Sequence, residues 1–145
     1  MTSFVDCIPA GTHLVPMTMC LAVTKGAVLE LGAGDWSTPF LRRYCMAADR
    51  ELLTLENYPK WAAEFGVEVG DYDVTIPKAA LRQWSVVLID HRPAERRVED
   101  LLRFVGQSDF ILLHDHHDYV QHLGRVMERD WAWTRIENDT LVLCR

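Results

Sequence analysis

Apolar positions along the chain come in two alternating patterns, and the alternation predicts an architecture. AVLEL (27–31), ELLTLE (51–56), WSVVLID (84–90) and DFILLHD (109–115) are short, nearly continuous apolar runs. Each reads as a strand buried on both faces. Between them the spacing turns helical. Pro16 ahead of MTMCLAVTKG puts proline in the first turn of a short helix that Gly26 stops. Residues 37–46 set Phe40, Leu41, Tyr44 and Cys45 on one stripe behind a Ser-Thr-Pro start. Residues 59–65 read as a helix, and 94–105 carry Val98, Leu101, Leu102 and Val105 on one face. A further helix is expected over 119–128, a short third strand over VEVGDYDV (67–74), and a turn or short helix over 77–83. WAWTRIE and TLVLC flank Asn138-Asp139, which predicts a closing antiparallel hairpin. The whole is an α/β pattern: a twisted, mostly parallel sheet of about seven strands with helices on both faces.

Length and composition narrow this further. The 145 residues are expected to form one domain, 1–145, with 49% hydrophobic residues to fill its core. Fifteen basic against twenty-one acidic residues give −6, a balance that disfavours a nucleic-acid partner and favours a small molecule. Cys7, Cys20, Cys45 and Cys144 are too scattered for a disulfide framework and read as reduced thiols. No apolar run reaches the roughly 20 residues of a membrane helix, and MTSFVDCIPAG lacks the features of a leader. A cytoplasmic protein with no membrane partner is the expectation.

The chemistry begins at VLELGAGDWST. Glu30 ends a buried strand, and Gly32, Ala33 and Gly34 turn the backbone tightly into a helix, leaving room for a ligand against the chain. Such glycines also serve packing alone. Glu56, with Asn57 beside it, ends the next strand, where a carboxylate accepts hydrogen bonds from ribose hydroxyls; the alternative is a helix-capping Glu. Asp71 and Tyr72 stand where an acid and an aromatic ring suit adenine, or form a plain turn. Trp36 follows the glycine turn and suits a pocket wall or lid. A phosphate P-loop is excluded because no Lys-Ser/Thr follows the glycines, and the third glycine of the dinucleotide fingerprint is missing.

Taken together, the Glu-x-Gly-x-Gly turn, the acid at 56, Gly70-Asp71 and IDH (89–91) resemble the class I, Rossmann-like S-adenosylmethionine (SAM)-dependent methyltransferases. The resemblance implies that Glu30, Gly32 and Gly34 hold the methionine part of SAM, Glu56 the ribose and Asp71 the adenine, with S-adenosylhomocysteine as product. Trp36, Asn57, Tyr72 and Asp90 complete the expected cofactor pocket. VVLIDHR further resembles the catechol O-methyltransferase group, which implies a divalent metal such as magnesium at Asp90, Asp115 and His116. His116 replaces that group's amide ligand, and Pro93 stands where its lysine is expected.

The strand ends Asp90-His91 and His114-Asp115-His116-His117-Asp118 are expected to face the glycine turn. In a metal-free reaction a neutral histidine takes the acceptor's proton, and His91, His116 and His13 are the candidates. The bland alternative for HDHHD is a solvated turn with His117 and Asp118 capping a helix. Arg92, Arg96 and Arg97 read as a solvated, mixed-charge helix start, or as a grip on an acidic substrate. The expected function is O-methylation of a small molecule, a catechol or phenol, with a sugar hydroxyl or a non-catalytic SAM-binding module as alternatives. DNA methylation is disfavoured, since no Asn-Pro-Pro or Asp-Pro-Pro segment follows the fourth strand. A homodimer would complete the thin substrate side.

Overall fold

The computed structural model describes residues 13–145. Helix α1 (Leu14–Ala22) leads into β1 (Val28–Leu31), α2 (Ser37–Ala47), β2 (Leu52–Leu55), α3 (Pro59–Phe65) and α4 (Tyr72–Ala79). Then come β3 (Trp84–Ile89), a 3-10 turn at Ala94–Arg96, α5 (Arg97–Arg103), β4 (Ser108–His114) and a second 3-10 segment at His116–His122. The chain closes with α6 (Gly124–Met127) and the hairpin β5 (Trp133–Glu137) and β6 (Thr140–Cys144).

One six-stranded sheet runs in the order β2-β1-β3-β4-β6-β5, parallel through β4 and antiparallel at β6 and β5. Alternate strand residues feed two cores. Leu29, Leu31, Val87, Ile89, Ile111, Leu113, Leu141 and Leu143 pack with Tyr72, Ile76, Val98 and Leu101 beneath α4 and α5. Val28, Val86, Leu88, Leu112 and Val142 pack with Met17, Leu21, Leu41 and Cys45 beneath α1 and α2. Three layers follow from strands that are apolar on both faces. Asn138 and Asp139 both adopt positive φ (46° and 59°), the conformation that a two-residue hairpin turn requires.

Three expectations need correction. The sheet has six strands, because 67–74 does not form one: only Val69 bridges to Glu56, and Asp71 accepts a hydrogen bond from the Asp73 N–H to start α4. Buried Tyr72, Ile76 and Ala79 lie at helical spacing, and that longer stripe outweighs the alternation of Val67 and Val69. The helix expected over 119–128 is split into a 3-10 segment and the short α6, with Gly124, a poor helix former, at the boundary. Arg97 is buried rather than solvated, for reasons that belong to the site. Cys20 and Cys45 are buried free thiols and Cys144 is a half-buried one; Cys7 lies outside the described residues.

Candidate functional site

The order of strands reverses at β1, with β2 on one side of it and β3 on the other, and the C-terminal strand ends at this point form a cleft of about 740 Å³. Its walls are Gly32 to Ser37 after β1, Glu56 to Tyr58 after β2, Asp90 to Pro93 after β3 and His114 with Asp115 after β4; His13, Trp61 and Arg97 complete them. A second groove of about 780 Å³, beside α5 and α6, has Glu99 and Arg125 in its wall paired with each other, and few groups converge there.

The glycine turn is anchored from below. Glu30 is fully buried, on the same sheet face as Val28, and its carboxylate accepts hydrogen bonds from Thr38 Oγ1 (3.0 and 3.1 Å) and Thr54 Oγ1 (2.7 Å). Thr38 Oγ1 in turn accepts the Gly34 N–H at 2.9 Å. This chain of bonds fixes the turn against α2, so the Ser-Thr-Pro segment serves the turn, while the N-cap residue Trp36 makes no side-chain cap. Burial pushes the Glu30 carboxyl up to about 7, against the bonds from Ser37, Thr54 and Thr38 that pull it down. Glu30 is therefore a support of the turn and does not line the cleft.

The two glycines do different work. A Cβ on Gly32 (φ 92°) would come within 2.6 to 2.8 Å of the Asp90 and His91 backbone, so close packing of the β1 and β3 loops demands glycine there. A Cβ on Gly34 would meet only Ser37 Oγ, at 3.4 Å. Its open side is cleft. Glu56 lines the same cavity, and its carboxylate accepts the N–H groups of Ala33 (2.9 Å), Asn57 (2.9 Å) and Tyr58 (2.8 Å). Of the roughly four acceptor positions of the carboxylate, one on Oε2 remains for a ligand. Asp71 caps α4, and Tyr72 is buried with its hydroxyl donating to the Leu55 carbonyl at 3.2 Å, so neither reaches the cleft wall. Trp36 is 52% exposed at the cleft mouth.

On the β3 and β4 side the structure regroups the expected residues. Arg97 Nε donates to the His91 carbonyl (2.7 Å) and Nη1 to the His114 carbonyl (3.3 Å), while Nη2 pairs with Asp90 Oδ1 (3.1 Å) and Nη1 with Asp115 Oδ2 (3.4 Å). One buried guanidinium thereby ties both strand ends together. Asp90 Oδ2 faces His114 Nδ1 at 3.2 Å. Burial alone would raise the Asp90 carboxyl, but His114, Arg97 and His13 hold it below its usual value. Burial alone would lower His114, and Asp90 outweighs it, leaving the ring above its ordinary value. His13, ahead of α1, lies edge-on to His114 with centroids 4.4 Å apart, and desolvation together with His114 drives it down to about 4.

His91 is not presented to an acceptor. Its Nε2 pairs with buried Asp100 Oδ2 at 2.8 Å, Tyr72 stacks edge-on against it, and burial leaves its pKa lowered. His116 lies outside the cleft wall, 3.1 Å from Asp139 Oδ1 beside the hairpin turn, with His117 at 2.6 Å from the same oxygen. The metal set Asp90, Asp115 and His116 is consequently not assembled, and the site does not fit magnesium held as in the catechol group. Tyr58 and Trp61 were not singled out from sequence; His114 was expected to face the cleft as part of the 114–118 strand end but without a role of its own, and Arg97 was read as a solvated helix start or a grip on an acidic substrate. His114 was signalled by its place at the end of the ILLH run, whereas Arg97 looked like any surface arginine.

This sheet order, with a glycine turn after β1 opening on a cleft at the strand ends, is the Rossmann-like fold of SAM-dependent methyltransferases. Among solved structures the chain is similar to the fibrillarin pre-rRNA processing protein of Methanococcus jannaschii, with a TM-score of 0.52 and 15% identity over 83% of this chain and 66% of that one. It thus spans just under two thirds of that neighbour's length. No protein-family model and no curated protein matches the sequence. The likeness overturns the expectation of a small-molecule partner with nucleic acid set aside, and it lends nothing to the catechol resemblance. Net charge misled because it counts the whole surface, whereas a ligand meets one face of it.

Proposed function

We propose that this chain is a SAM-dependent methyltransferase whose acceptor is a ribose hydroxyl of an RNA. The observation that carries the reading is the open side of Gly34 in a cleft of about 740 Å³, a size suited to a nucleoside-bearing ligand, in a fold shared with methyltransferases. Gly32 to Gly34 and Glu56 would hold the methionine and ribose parts of SAM. When bound, SAM supplies an activated methyl on its sulfonium. The chain's own task is then to bring a nucleophile into line, exclude water and receive a proton, and positioning alone supplies much of such an acceleration.

RNA as acceptor draws on the fibrillarin likeness and on a second feature. Asp35 and Trp36 also line a neighbouring groove of about 490 Å³ with Leu14, Pro39, Phe40, Arg43 and Tyr44. Phe40 and Tyr44 are stacked, with centroids 6.0 Å apart. Aromatic rings interleaved with arginine are how single-stranded bases are held. The polar wall of Asp90, His114 and Asp115 suits a hydroxyl more than a carbon nucleophile.

The test is incubation of the protein with methyl-labelled SAM, single-stranded and structured RNAs, and a catechol and phenol panel, followed by nucleoside mass spectrometry. A ribose-methylated nucleoside is the expected product. Label on a base would overturn the hydroxyl assignment, and label only on a phenol would overturn the RNA assignment. SAM binding with no transfer would leave a binding module.

A further inference from the structure

We propose that His13, Asp90 and His114 form a binding site for a divalent transition-metal ion at the cleft wall. One ligand atom from each residue lies within 4.8 Å of the others. Asp90 Oδ2 and His114 Nδ1 are already 3.2 Å apart, close to the ligand–ligand spacing around an ion with bonds of about 2.0–2.2 Å. The remaining ligand atoms lie within 4.8 Å and would have to draw together around an ion.

His13 carries the inference furthest. Only 4% of its surface is exposed, and among the described residues neither ring nitrogen has a hydrogen-bond partner. An imidazole removed from water with both nitrogens unsatisfied is costly, and a lone pair aimed at Asp90 and His114 is what an ion would use. Asp90 is prepared in the same sense, because Arg97 takes Oδ1 and turns Oδ2 toward His114. Such orienting partners are the usual companions of metal-binding carboxylates.

Two imidazoles and one carboxylate favour zinc, or cobalt in its place, over magnesium, whose preference is for oxygen. Three protein ligands beside an open cleft leave a position free, as in ions that activate a bound oxygen rather than tie a fold together. This set shares only Asp90 with the trio that the catechol resemblance implied. It does not depend on the methyl-transfer reading, because binding is measured directly.

The experiment is titration of EDTA-treated, dialysed full-length protein with Zn²⁺ by calorimetry and with Co²⁺ by visible absorption. One tight equivalent and cobalt ligand-field bands are expected, with Mg²⁺ unable to displace Zn²⁺. His13→Gln and His114→Gln should each weaken Zn²⁺ binding by at least about tenfold, whereas His117→Gln leaves it unchanged. Zinc X-ray absorption of the wild-type protein should read two imidazoles, which keeps the question open to refutation even where a variant fails to fold. Absence of an equivalent of binding, an absorption spectrum without imidazole scattering, or loss confined to His117→Gln would overturn the site. Metal binding with no methyl transfer would leave this inference standing and sink the proposed function instead.

Discussion

At the scale of single residues, Gly32 and Gly34 look interchangeable in sequence and are not. Gly32→Ala forces a Cβ into the Asp90–His91 backbone at a positive φ, so it should cost about 1–3 kcal/mol of stability, read as a lower midpoint in urea. Gly34→Ala should leave that midpoint nearly unmoved while weakening SAM at least about tenfold by calorimetry, since its Cβ enters the cleft. Equal stability of the two variants would remove the packing role from Gly32. Glu30 supplies a pH signature. Its carboxyl is raised in the folded state to about 7 from 4.5, so the protonated form is the favoured one, its contribution is complete below about 4.5, and it is lost as pH rises through 7. Between pH 5 and 8 the protein should lose up to about 3 kcal/mol relative to Glu30→Gln, measured by urea unfolding of both at each pH. Parallel pH profiles would mean that Glu30 is ionised without penalty.

At the scale of elements, what could be read from sequence was whatever a local period encodes. The four apolar runs became β1 to β4, residues 59–65 became α3, and Asn138-Asp139 became the hairpin turn, because each is decided within about ten residues. The stretch 67–79 was misread where two periods overlap, and Tyr72 with Ile76 and Ala79 settled it only through packing under the sheet. The glycine turn and Glu56 were legible for the same local reason. On the opposite wall the strand ends at 90–91 and 114–115 were legible as facing the turn, but their pairing was not, since His13, His114 and Arg97 come from three elements and no sequence spacing reports their meeting. Arg97 exemplifies this. It opens α5 and binds the ends of β3 and β4, so Arg97→Met should leave the His91 and His114 carbonyls without their donor and Asp90 with His114 alone opposite it, and destabilise by about 2–4 kcal/mol in denaturant titration. A change under about 1 kcal/mol, the worth of a surface pair, would return Arg97 to the surface-charge reading.

At the scale of the whole molecule, the difficulty is a protein of charge −6 proposed to hold RNA. A net charge of that sign opposes long-range attraction of phosphates, so the contacts must be local. What the surface does offer is the groove of Trp36, Phe40 and Tyr44 with Arg43, opening beside the cleft where Arg92 stands exposed. Binding on such a surface draws its free energy from stacked bases, at about 1–3 kcal/mol each, and from two or three phosphate contacts. Each phosphate contact on a single strand adds about −0.7 to the slope of log affinity against log salt, so the slope should be shallow, near −1.5 to −2. Anisotropy of a labelled single-stranded RNA between about 50 and 200 mM salt measures it. Trp36→Ala should weaken binding about tenfold without changing that slope, because it removes a stacking face and no charge. A slope steeper than about −5 would mean that many phosphate contacts, and not this groove, carry the binding, and equal affinity for duplex RNA would mean that the rings are not what holds the strand.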